Sequence, residues 1–200
     1  SFAYSFPNKH CPMPHMPHAV LVLLPLLALA LSAAAQDPVV KGVAATVETA
    51  VLLPPAQAFR RLVPIPLELI FRAGHGLPAI TGTSVVAPWN AVGQSRRVYF
   101  ETGDSARETI TAYREGEYFA YRVEEFTLAA KYVAKYAVGQ WWWREEQGRT
   151  VVVWRYTFVP KNFLVRPFLA FFVRHRWRPY MQAAVARVQQ DAAVVFFGDG

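Results

Sequence analysis

The sequence predicts an α+β domain in which an antiparallel sheet of about six or seven strands precedes a long C-terminal helix, with two short helices after the first strand. Three observations carry this expectation. From Gln94 to Val159, segments of alternating polarity follow one another closely, separated by tight polar turns with glycine, as in an antiparallel meander. From Phe168 onward Leu169, Val173, Trp177, Met181, Ala184 and Val188 recur at spacings of three and four, the stripe of a helix with one buried side. Between the first strand and the meander, prolines cut the chain into short pieces.

Residues 1–35 stand apart from this pattern. Ser1 to His18 contains Pro7, Pro12, Pro14 and Pro17 and shows no hydrophobic period. Ala19 to Leu31 reads AVLVLLPLLALAL and is followed by Ser32-Ala33-Ala34-Ala35. An apolar run that ends in small residues matches a secretory h-region with an A-x-A cleavage site. Continued to Ala35 the run is short for a bilayer span, and Pro25 interrupts it. We expect a leader over 1–35, removed near Ala35 on export, a folded domain over 36–193, and a loose tail over 194–200. Met13 and Met16 are the two candidate starts, the residues ahead of them candidates for non-native sequence. The alternative is an uncleaved N-terminal anchor.

Composition narrows the class. The 200 residues are 54% hydrophobic, with 21 Lys and Arg against 14 Asp and Glu, a net charge of +7. So apolar a chain offsets its ordering entropy by burial, which excludes disorder. Cys11 is the single cysteine, which excludes a disulfide framework and zinc sites built from cysteine pairs. Removing the leader takes away Lys9 and no acid, so the domain keeps a charge of about +6. One monomeric domain of this size stands on its hydrophobic core.

Each element has its own signal. Val43 to Val51 alternates, with Val43, Ala45, Val47, Thr49 and Val51 opposite Thr46 and Glu48, which predicts a strand with one buried face. Pro54-Pro55 opens a short helix over Ala56–Leu62, since proline is tolerated in a first turn. Pro64 and Pro66 interrupt it, and Leu67–Arg72 forms a second helical piece, stopped by Gly74-His75-Gly76. A short strand over Thr83–Ala87 ends at Pro88-Trp89-Asn90. Strands over Gln94–Glu101, Arg107–Arg114 and Glu117–Glu125 follow, and in the last Phe119, Tyr121 and Val123 share a face opposite Arg122 and Glu124. Tyr132–Arg144 carries Trp141-Trp142-Trp143, and Glu145-Glu146-Gln147-Gly148 turns it into Thr150–Val159, where Val152, Trp154, Tyr156 and Phe158 share a face. Pro160 and Pro167 separate this strand from a helix over Phe168–Ala192, in which Pro179 predicts a kink or break.

This order of elements, over roughly Ala44 to Gln190, resembles the START-like (SRPBCC) superfamily with its helix-grip fold, which includes polyketide cyclases and the birch-pollen-allergen group. The local marks are Val47-Glu48-Thr49 with Pro54, Ala56 and Phe59, then Arg97-Val98-Tyr99 and Arg107-Glu108-Thr109-Ile110 around a Gly-Asp turn. Tyr121-Arg122-Val123 and the run from Val153 to Pro160 resemble the later strands. The resemblance implies a sheet curled around the terminal helix, enclosing an apolar cavity. The candidates to line it are Val98, Ile110, Tyr121, Trp142, Trp154 and Tyr156 from the strands, with Trp177 and Met181 from the helix. Such aromatics also serve simple packing, and a slip of one residue would exchange the inward members of Trp141, Trp142 and Trp143.

No catalytic constellation emerges. His75 and His175 are the histidines left after the leader, no G-x-S-x-G elbow occurs, and neither histidine has a second ligand at i+3 or i+4. No metal and no cofactor is expected. Glu108 with Arg96, Arg97 or Arg107 forms either a solvated cross-strand cluster or an ion pair able to polarise a ligand.

The basic surplus is concentrated: Arg149, Arg155, Lys161, Arg166, Arg174, Arg176, Arg178 and Arg187 lie between Gln147 and Gln190, a stretch without one acid. Phe171 and Phe172 beside Arg174, Arg176 and Arg178 fit contact with an anionic membrane surface, whereas export argues against nucleic acid. The function expected is non-covalent: a hydrophobic small molecule or lipid held in the cavity, for carriage or sequestration. The alternatives are a cyclase or dehydratase using Tyr121, Glu108 and Arg155 as acid, base and carbonyl clamps, and a membrane-surface adaptor.

Overall fold

Alternating polarity becomes seven strands: β1 (Val43–Val51), β2 (Ile80–Thr83), β3 (Ser95–Phe100), β4 (Ser105–Arg114), β5 (Tyr118–Glu124), β6 (Ala134–Glu146) and β7 (Arg149–Pro160). The computed structural model describes residues 37–84 and 88–196, with side chains through Gln190. The chain divides into two units, Ser1–Asp37 and Pro38–Gly200, and all seven strands belong to the second. The expected leader, Cys11, the end of the expected strand at 85–87 and the tail from 197 lie outside the described residues.

All neighbouring strands pair antiparallel, in the order β1-β7-β6-β5-β4-β3-β2. The sheet curls around the C-terminal helix, so the architecture is α+β of the helix-grip type. Two short helices, α1 (Pro55–Leu62) and α2 (Leu67–Ile70), follow β1 as the proline spacing requires. The core lies between the concave face of the sheet and the short and C-terminal helices, with Phe59, Ile110, Trp154, Leu169 and Met181 almost fully buried.

Three elements differ from the sequence expectation. The short strand before Trp89 starts earlier, at Ile80, whose N–H bonds the Phe71 carbonyl, and a bulge at Gly82 shifts its pairing with β3. Tyr132 belongs to a one-turn helix, α3 (Ala130–Val133), and β6 begins only after it. The terminal helix is three pieces: α4 (Arg166–Phe172), a π-helical turn (Val173–Trp177) and α5 (Arg178–Phe196), which runs past the expected end at Ala192. Pro179 is the cause. It has no N–H, and in an α-helix its ring meets the carbonyl four residues back. The turn ahead of it widens instead, so that the Arg178 N–H bonds Val173, five residues back.

Candidate ligand cavity

Between the concave face and the helices lies a cavity of about 260 Å3. Val98 on β3, Tyr121 on β5, Trp154 and Tyr156 on β7, and Trp177 on the π turn all line it. Ile110 and Met181 do not reach its wall; both are packed into the core at 1% and 0% exposure. Trp142 is a correction. Cross-strand register puts Trp141 opposite Trp154 and Trp143 opposite Val152, so these two tryptophans face inward, while Trp142, opposite Val153, faces outward onto Tyr118. Arg155 is corrected by the same parity: it sits opposite Gln140 and Thr46 on the outer face, between inward Trp154 and Tyr156. Phe119 shares the inner face with Tyr121, as the alternation of β5 had already implied, and also lines the cavity.

The wall is an aromatic stack. Trp141 lies nearly parallel to Trp154 at 4.6 Å, and Tyr156 packs on Trp177 at 4.6 Å. Gly139 lies between Tyr121 and Tyr156 in the register, and a Cβ placed there would come within 2.2 Å of the Tyr121 ring. The ring thus fills the gap a glycine leaves in the sheet. Burial pushes the pKa of the Tyr121 phenol far above its ordinary value, and the nearby negative charge of Glu108 adds to this. Burial has the same effect on Tyr156, so both phenols stay neutral. Among the described residues, the buried indole N–H groups of Trp143 and Trp177 find no hydrogen-bond partner.

One ion pair interrupts this wall. Arg96 and Glu108 are register partners on β3 and β4, and both line the cavity. The Arg96 Nε and Nη2 atoms each lie 2.8 Å from Glu108 Oε2, and the guanidinium stands 4.3 Å above the Trp89 ring. Both residues are buried at 8% exposure, so this is not a solvated pair. Arg97 and Arg107 take no part: on the other face they pair with Glu125, and Arg107 also with Glu124.

Residues 70–78 close one side of the cavity, and helix side chains hold them by main-chain carbonyls. Arg176 donates to His75, Tyr180 to Pro78 at 2.6 Å, and Arg187 to Ile70 at 2.9 Å. Gly76 is required here, because its backbone has a left-handed φ of 73° and a Cβ would strike the Arg176 guanidinium. Burial and the charge of Glu101 outweigh Arg187 to push the Tyr180 phenol up to about 12. Among the expected membrane residues, Arg176 is therefore engaged in this closure. Phe172 turns inward onto Phe158 and lines the cavity. Phe171, Arg174 and Arg178 are exposed. His75 sits in the closing segment, and exposed His175 packs on Phe171. Among the described residues no three His, Cys, Asp or Glu side chains converge as metal ligands.

A curled antiparallel sheet gripping a helix around an apolar, aromatic-walled cavity defines a ligand-binding class of domain. The chain belongs to the family described as polyketide cyclase/dehydrase and lipid transport, whose match covers residues 43–193, within the START-like superfamily. No curated protein matches the sequence. The fold is similar to that of the major latex-like protein 151 of Panax ginseng, at 15% identity and a TM-score of 0.54, covering 76% of this chain and 99% of that one. Protein Ms6760 of Mycobacterium smegmatis gives 14% identity and a TM-score of 0.54, over 80% and 96% of the two chains. Ara h 8.0201 gives 17% and 0.52, over 74% and 97%.

Proposed function

We propose that the domain holds a hydrophobic small molecule or lipid in this cavity and acts as a carrier or sequestering module. The observation that carries this reading is the wall itself: aliphatic and aromatic side chains interrupted by one ion pair whose charges satisfy each other. Burial of apolar ligand surface drives uptake, and the pair offers a charged anchor. At about 260 Å3 the cavity suits a compact ligand, being just below the roughly 300–1,000 Å3 of small-molecule pockets. The test is native mass spectrometry of the purified protein with organic extraction, alongside uptake of the fluorescent probe N-phenyl-1-naphthylamine. A co-purifying apolar molecule supports the reading; a protein that arrives empty and takes up no probe overturns it.

A second reading, cyclase- or dehydratase-type catalysis, is favoured by one observation: the Glu108 carboxylate and the Tyr121 phenol share the cavity. It predicts turnover of a polyketone substrate that Glu108→Gln abolishes. Export rests on the apolar run over 19–31 and the small residues after it. N-terminal sequencing of the chain recovered outside the cytoplasm tests it, with a new terminus at Gln36 as the expected result.

A further inference from the structure

Exposed aromatics gather on one side of the domain. After β7, Phe163 is 80% exposed and Leu164 72%, while on α4 Phe168 and Phe171 are 62% and 60% exposed. Phe168 and Phe171 stand three residues apart on α4, on the exposed stripe beside that of buried Leu169 and inward Phe172. The Lys161 N–H bonds the Val133 carbonyl, which ties this segment to α3 and brings Tyr132, 69% exposed, alongside it. Large apolar side chains so exposed within one short stretch of chain mark an interaction face.

The charges on the α4 side of this face are all positive. Lys161, Arg166 and Arg174 are exposed, and the sequence from Gly148 to Gln190 contains no acid. The ion pairs among the described residues engage Arg60, Arg96, Arg97, Arg107, Arg114, Arg122 and Arg144, and none engages these three. Lys131, stacked on Tyr132, feels the nearby Asp104, whose carboxylate is itself held by Thr102 and Thr127. Aromatic and aliphatic tips flanked by exposed cations complement a bilayer carrying negative headgroups: the apolar tips enter the interface while the cations meet phosphate.

We propose that this face, formed by Tyr132, Phe163, Leu164, Phe168 and Phe171 with Lys161, Arg166 and Arg174, docks the domain on an anionic lipid bilayer. Its inner side is the cavity wall: Ala130 and Phe172 line the cavity immediately next to exposed Lys131 and Phe171. The proposed docking face and the cavity wall thus share α3 and α4. Docking of this face does not depend on what the cavity holds, and its test reads lipid contact alone.

The experiment uses the full chain in a Cys11→Ser background with an environment-sensitive fluorophore attached at Leu164→Cys. A second labelled protein, Leu52→Cys, is the control, since Leu52 is 72% exposed and follows β1, at the end of the sheet opposite the start of α4. Site-resolved labels separate this face from any contact made by the apolar segment over 19–35. On phosphatidylcholine vesicles containing phosphatidylglycerol, the label at 164 is expected to shift to the blue and the label at 52 not to shift. Lys161→Glu with Arg166→Glu is expected to weaken partitioning of the 164 label by about tenfold or more, and so is Phe168→Ser with Phe171→Ser. No shift at 164, an equal shift at 52, an equal shift on phosphatidylcholine alone, or indifference to both double variants overturns the proposal.

Discussion

Gly139 has no side chain where the ring of Tyr121 lies across the sheet, and a Cβ there would overlap it. Gly139→Ala is therefore expected to force the ring into the cavity, costing about 1–3 kcal/mol as overpacked cores do. Urea denaturation together with uptake of an apolar probe checks both halves; an unchanged midpoint would falsify the packing argument. Arg96 and Glu108 make a different kind of commitment. Removing one partner leaves a charge stranded among aromatics, so Glu108→Ala should cost about 3–5 kcal/mol. Replacing both, with Arg96→Met and Glu108→Leu, should recover most of that loss, and a double-mutant cycle measures it. The sequence brought Glu108 and three possible arginines to notice, but the choice among them belongs to the register, which places Arg96 alone opposite it on the inner face.

Elements were more legible than their phases. Alternation located β1, β5 and β7 to within a residue or two, because each has one face against the core and a one-residue slip would expose it. The run Trp141-Trp142-Trp143 has no alternation to read, so its orientation depends on pairing with Trp154 and on the bulge between Ala134 and Tyr136. At the helix, Pro179 announced a disturbance but not its form, a widened turn that keeps Trp177 beside Tyr156. The contacts between this helix and residues 70–78 were invisible in sequence, since main-chain carbonyls accept them. Deleting one such bond with Tyr180→Phe should cost about 1 kcal/mol. It should also speed hydrogen exchange at the Gly74 and Leu77 amides, which bond each other's carbonyls, while β6 and β7 remain protected. Uniformly faster exchange across the sheet would contradict a local closure.

The whole molecule responds to alkali through its phenols. Tyr113, Tyr121, Tyr156 and Tyr180 all hold their protons more tightly in the fold than in the free chain, chiefly because burial disfavours the phenolate. Above pH ~10 the unfolded chain releases protons that the folded chain keeps, so unfolding is favoured as pH rises. Stability from this source is complete below about pH 10 and falls steadily toward pH 12, where Tyr180 titrates. Urea midpoints measured alongside tyrosinate absorbance check this; a midpoint flat through the tyrosine range contradicts it. Charge at this scale is partitioned too. Glu124 and Glu125 pair with Arg97, Arg107 and Arg122 on the outer face, whereas no ion pair among the described residues engages Lys161, Arg166 or Arg174 around α4. Sequence counting already located that surplus, but only the fold reveals that exposed rings stand among it.

The three helix side chains that hold residues 70–78 recognise backbone oxygen, which every residue type supplies. Leu77 and Pro78, which face the cavity, can therefore change their side chains without surrendering this fastening, whereas Gly76 cannot. At these two positions shape selectivity is uncoupled from structural integrity, so they are where new ligand preferences can be written by substitution alone.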